Sequence, residues 1–459
     1  MRIRALTCVL ALALVSTAAC GSRVSRDEIA AVEQQQGGNG GGGGGATAPT
    51  GDGTGADGKV GTLEVGCGEG DASGATDTGV ADDKIGIGTI SDKAGVVQVP
   101  TVGIEESVKA FVAYCNSLGG INGRELELTA YDSKIGAHAE ATQQACDNDD
   151  IFALVGTGSV LDDQGAQLMV DCGLVEVAAY TASAKKGLSE RLFAPIPNPA
   201  DEFGTGACKY MAEQFPDAVV KAAVIYSDIA AAKNRGKTLV EGCEQAGFEF
   251  VYEKGTAIGE QSWGSIVSEM KSEGIEYLTI VSAMAELQNL LVAMQDQGFE
   301  PQVLDLGQQF YDPALLDSPG AEGAWVLTNT VPFEEADQSP ALQVYLHWLE
   351  ETVPGTAPTT LGVQAFSAGL LFAQAMKTLG SDVTRENLLE ALSAVNEWDG
   401  GGLHMLTNPG ANETNPCFLY LQVKDGAFER VHPEEDSDCD KSTVVGLEGD
   451  YGTGARAGG

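Results

Sequence analysis

The sequence predicts an α/β chain folded as two lobes, with parallel sheets and a cleft between them. Three observations carry this. From Lys84 onward short apolar runs alternate with amphipathic stretches of about ten to fifteen residues, the rhythm of strand and crossover helix. The rhythm restarts near Gly204, so two similar halves follow one another. Extra helices and a late hairpin come after the second half, which sends the chain back and forth between the halves several times.

The 459 residues are enough for two domains of ordinary size. Arg2 and Arg4 precede the apolar run from Ala5 to Val15, and four small residues lead into Cys20, so residues 1–19 read as a secretory signal peptide. Ser16-Thr17-Ala18-Ala19-Cys20 resembles a bacterial lipobox, which makes Cys20 the expected lipidation site and the extracytoplasmic face of the cell membrane the expected location. Loss of the leader removes both arginines and takes the formal charge from −40 to −42. So acidic a chain is repelled by phosphate backbones and anionic lipid, which argues against nucleic-acid partners and leaves the lipid anchor as the membrane contact.

Of the ten cysteines, Cys8 falls in the leader and Cys20 at the lipid site. An even remainder in an exported chain reads as disulfides. Neighbour spacing favours Cys67–Cys115, Cys146–Cys172, Cys208–Cys243 and Cys417–Cys439. The last three join elements that consecutive packing places side by side. No cysteine lies in a CxxC motif or a Cys/His cluster, so no metal site is expected.

From 20 to 81 the composition collapses into small and polar residues, including the run from Gly37 to Gly45, and reads as a flexible tether with a reach of about 40 Å. Cys67 pins its far end. Order is expected from Lys84, with a strand to Ile90 and a helix from Thr101 to Leu118. Gly86-Ile87-Gly88-Thr89-Ile90-Ser91 imitates the opening of a dinucleotide fingerprint. Ser91 stands where the third glycine belongs and Pro100 delays the helix, so no nicotinamide or other cofactor is expected. A turn at Gly119–Gly123 leads to the strand 125–131 and the helix 137–148. The strand–turn–helix 151–170 and the strand 175–179 complete the first half.

In the second half the expected helices are 204–214, 233–246, 263–272 and 287–297, and the strands 222–226, 249–254, 277–281 and 302–306. A strand at 325–328 is followed by helices at 339–351, 363–379 and 385–395. A hairpin over about 417–431 turns at Asp425-Gly426. Residues 441–459 read as a disordered tail. In an open α/β sheet, ligands sit beyond the carboxyl ends of parallel strands, where the next helix offers free N–H groups. The turns at Gly156–Val160 and Tyr180–Ser183 are therefore the first places to look, although an ordinary unit whose turns hold nothing has the same pattern.

The stretch Leu118 to Lys134, LGGINGRELELTAYDSK, resembles the Leu/Ile/Val-binding family of type I solute-binding proteins, the extracytoplasmic receptors of ABC importers. DDIFALVGTGS, the Tyr-Thr-Ala-Ser tail after Val175 to Ala179 and the second-half order of elements extend the likeness over about 84–431. The resemblance implies two Rossmann-like lobes joined by three hinge crossovers, the type I periplasmic binding protein fold. The first lobe would hold 84–199 with 330–412, and the second 200–329 with 413–440. It implies a monomer that closes on a small polar solute, an amino acid or related amide or amine, and delivers it to a permease and its ATPase subunits. By the same resemblance Ser159 and the Val160 N–H receive a ligand carboxylate, Tyr180, Thr181 and Ser183 line the second turn, and Glu286 with Asp201 holds an ammonium across the cleft. Gln308, just past the strand ending at Leu306, would also face the solute. Glu286 equally suits a helix N-terminal turn, and Asp162 and Asp163 would compete with a bound carboxylate. The chain lacks the aromatic residues that such relatives place after Tyr226 and after Ser91-Asp92-Lys93.

An enzyme would need a reactive constellation, and no GxSxG, HExxH or Walker motif is present, so no catalytic residue is named. His138, His347, His404 and His432 lie apart without ligand spacing. The remaining alternative is a sensor subunit that uses the same clamshell to signal.

Overall fold

The structure is a computed structural model, and it describes residues 53–94, 99, 101, 103–449 and 451. The expected signal peptide, Cys20 and the Gly37–Gly45 run lie outside the described residues. Two α/β lobes follow. In the first, strands β1 (Lys84–Ser91), β2 (Glu125–Asp132), β3 (Ala153–Thr157), β4 (Val175–Ala178) and β5 (Leu192–Phe193) form one sheet in the order β2-β1-β3-β4-β5. Every pair in it is parallel. Helices Gly103–Ser117, Pro340–Thr352 and Thr360–Lys377 cover one face through Phe111, Tyr345 and Phe366. Helices His138–Cys146 and Asp163–Asp171 cover the other.

The second lobe repeats the plan. Strands β6 (Ala222–Ser227), β7 (Phe250–Thr256), β8 (Tyr277–Val281), β9 (Val303–Leu306) and β10 (Trp325–Thr328) run parallel in the order β7-β6-β8-β9-β10. β11 (Cys417–Lys424) and β12 (Ala427–His432) then add to its edge antiparallel, so this sheet is mixed rather than purely parallel. Asp425 and Gly426 both take positive φ in the hairpin between them, as the sequence predicts. In each sheet the order reverses between the first and third strands, the switch point at which such sheets open a crevice. One glycine shapes the first crevice. Gly156 holds φ +65° where β3 shifts register against β4, and an added Cβ there would meet Val108 at 2.3 Å.

Most elements lie where the apolar periodicity puts them, and the differences have physical causes. The helix expected from Leu287 begins at Met284, because Ala283 is the extended residue before it. Order also starts earlier than Lys84. Val60 and Val65 are buried in the first-lobe core, the Trp348 indole donates to Thr54 O (2.7 Å), and Cys67 is bonded to Cys115. A polar composition kept this stretch from reading as ordered, yet two valines and a covalent bond hold it. At the other end Val444–Gly446 pairs with Glu202–Gly204, so the described part of the expected disordered tail includes a strand. All four expected disulfides form.

The first lobe buries an ion pair. The Lys186 ammonium lies 2.5 Å from Glu176, with both side chains almost wholly enclosed. Thr157 also donates to Glu176. His138 lies nearby without a hydrogen-bond partner on either ring nitrogen, and burial, helped by Lys186, pushes its pKa down to about 3.

Candidate functional site

Between the lobes lies a cavity of about 370 Å³. Val160, Tyr180, Thr181 and Asn198 wall it from the first lobe, and Ser227, Arg235, Glu286 and Gln308 from the second. Its size falls within the usual range for small-molecule pockets. Of the residues expected at the site, Val160, Tyr180, Thr181, Glu286 and Gln308 are brought together here. Ser159, Ser183 and Asp201 are not in its wall. Ser159 is fully buried behind it, Ser183 caps the short helix Ala184–Gly187, and Asp201 lines a separate hollow near Pro199 and Asn412.

The first-lobe donors are already taken. Asp92, buried at the end of β1, accepts from the Val160 N–H (2.8 Å) through one oxygen. Its other oxygen accepts from the Ile135 N–H (2.8 Å) and the Ser133 hydroxyl (2.5 Å). Ser133 in turn contacts the Ser159 hydroxyl at 2.7 Å. The anion position at this switch point is thus filled by the chain's own carboxylate. Asp162 does the same one strand over, accepting from the Ala182 N–H (2.7 Å) and the Ser183 N–H (3.0 Å). The sequence leaves these donors looking free because Asp92 lies far from Val160 along the chain.

Burial raises the Asp162 carboxyl from 3.8 to about 7, against the two N–H bonds and nearby Lys186, which lower it, and Glu176, which raises it further. A group whose folded pKa exceeds its unfolded one holds its proton longer in the folded state. Its contribution to stability is therefore full below about pH 4 and is lost as the pH climbs toward 7. Asp162→Asn removes this dependence at the cost of one acceptor, about 1 kcal/mol. In urea unfolding, the advantage of the parent over the variant is expected to shrink between pH 4 and 7. A constant difference would contradict it.

In the second lobe Glu286 sits in the first turn of its helix and is buried. Ser227, at the end of β6, donates to it at 2.6 Å, and the Gly259 N–H donates at 3.2 Å to its other oxygen. The Gln308 side-chain oxygen accepts from Gln364 at 3.4 Å. Across the cleft, Tyr180 and Arg235 are close enough to act on each other. Burial raises the Tyr180 phenol to about 12, while Arg235 works to lower it. Arg235 and Asp92, like Asn198 and Ser227 of the cavity wall, are not among the residues expected at the site from the sequence, and no local motif marks them.

The family model for the periplasmic binding protein matches residues 84–427. The chain belongs to the periplasmic binding protein family. This periplasmic binding protein is 22% identical over 293 residues to the Leu/Ile/Val-binding protein homolog 1 of Brucella abortus (strain 2308), covering 62% of this chain and 75% of the relative. Its fold is shared by a fatty acid ABC transporter substrate-binding protein from Thermomonospora curvata, with a TM-score of 0.68 at 16% identity over 82% of this chain and 97% of that one. It is shared also by a solute-binding protein of R. palustris in complex with benzoate, with a TM-score of 0.65 at 14% identity over 80% and 99% of the two chains. A periplasmic binding protein is an extracytoplasmic, non-catalytic solute binder. Among the described residues no helix is long and apolar enough to cross a membrane.

Proposed function

We propose that this periplasmic binding protein captures a small solute by hinge closure and delivers it to an ABC permease driven by its ATPase subunits, held at the membrane by a lipid on Cys20. The observation that carries the reading is the cavity itself, walled by strand ends of both lobes at their switch points. Chain crossings support a hinge. Met405 N–H donates to Asn329 O (3.3 Å), and the Thr407 hydroxyl donates to Pro195 O (2.6 Å), so three passages of the chain lie side by side between the lobes. The proposed lobes are 84–199 with 330–412 and 200–329 with 413–440. Solute that bridges the lobes binds the closed form alone and shifts the population toward it.

An amino acid, amide or amine as the solute would rest on Glu286, since Asp201 is not in the cavity wall. The relatives' names span Leu/Ile/Val binding, a fatty acid and benzoate, so the family leaves this choice to the site. A thermal-shift screen over amino acids, amides, urea, short-chain carboxylates and polyamines is expected to give at least one solute that raises the midpoint. Small-angle scattering should then show a smaller radius of gyration with that solute bound. A solute that binds without contraction would sink hinge closure.

A further inference from the structure

Arg235 lies on the helix Ala230–Glu244 and, among the described residues, is the one lysine or arginine in the cavity wall. Its neighbours on that helix are neutralised, Lys233 by Asp228 at 3.3 Å and Lys237 by Glu253 at 3.4 Å. Among the described residues no carboxylate comes within 4.0 Å of Arg235. Its side chain is exposed and borders the cavity. The Phe203 ring lies 5.3 Å beneath the guanidinium. In a chain of net charge −40, a guanidinium at the cavity wall with five donors and no acid within 4.0 Å is a ready partner for an anion.

The remaining wall says what else the solute carries. Among the described residues three acids line the cavity: Glu286 accepts at both oxygens, from Ser227 and Gly259, Glu202 accepts from the Thr414 N–H, and Asp305 accepts from Tyr277 and Tyr420 at one oxygen while its other is buried without a partner. From the cleft the cavity runs into the helix–sheet layer of the second lobe, between Phe203, Leu239, Phe248, Phe418 and Tyr420. Apart from Asp305 and the Tyr277 and Tyr420 hydroxyls bonded to it, this space is apolar, and it gains by taking an apolar group.

We propose that the solute is a monocarboxylic acid with an apolar body and no ammonium group, its carboxylate held by the Arg235 fork and its chain or ring seated in the second-lobe slot. The assignment rests on solute capture between the lobes. It reverses the polarity of the amino-acid reading: with Asp92 and Asp162 filling the first-lobe anion positions, the anion is received by the second lobe.

Calorimetry with octanoate, benzoate, octanamide and leucine tests it. At least one of the two acids is expected to bind ten times more tightly than leucine, and octanoate ten times more tightly than octanamide. Arg235→Gln should weaken the acids at least tenfold and abolish the preference for octanoate over octanamide, with an unchanged unliganded melting midpoint. Arg235→Lys should keep that preference, because it keeps the charge. Equal binding of octanoate and octanamide by the parent, or leucine binding that survives Arg235→Gln, overturns the assignment. If both acids fail while a solute of another class binds and contracts the protein, the assignment falls and capture stands. If every solute fails, both fall.

Discussion

Lys186→Met is expected to destabilise the first lobe by about 3–5 kcal/mol, because it leaves Glu176 as a lone charge in a site closed to water. Glu176 sits on β4 with its side chain 1% exposed, and the hydroxyl of Thr157 is its other partner. Methionine matches the length of the lysine stem, so little of the loss comes from packing. Glu176→Gln alone strands the ammonium in the same way. The double variant Glu176→Gln, Lys186→Met should recover much of the stability, since neither charge is then left unpaired. Urea unfolding of the four proteins measures the coupling. Additive losses would mean that the pair does not act as a unit.

Asp92→Ala should cost about 3 kcal/mol or more, because it orphans the Val160 and Ile135 N–H groups and the Ser133 hydroxyl at one buried point. The hole it leaves has the shape and donors of a carboxylate. Formate or acetate is therefore expected to raise the melting midpoint of the variant and to leave that of the parent unchanged. If neither anion restores stability, Asp92 acts by packing and not as a built-in anion.

The two-lobed plan was legible because parallel strands buried on both faces read as short apolar runs, and β3 and β8 stand out on that basis alone. The walls of the cavity were partly legible by the same logic, since Val160, Tyr180, Thr181, Glu286 and Gln308 follow strand ends. What the sequence hid is long-range pairing. Asp92 reads as a loop residue until β1 and β3 are laid side by side, and only then does it meet Val160. Arg235 is flanked by Lys233 and Lys237 in the sequence, and nothing local tells that those two reach acids while it borders the cavity without one. The early ordering at 53–67 escaped for the opposite reason. Its few apolar residues are too sparse to signal a core, and they join one that other segments build.

The bond from Cys67 to Cys115, with Val60 and Val65 packed beside it, fastens the leading segment to the first lobe alone. Anything attached upstream, a bead, a surface or a fused partner, therefore grips that half, and under the proposed hinge closure the other is the one that moves. If the lobes close as proposed, a dye on the second lobe would report it as motion against a fixed frame, whereas the same dye on the first lobe would stay nearly still.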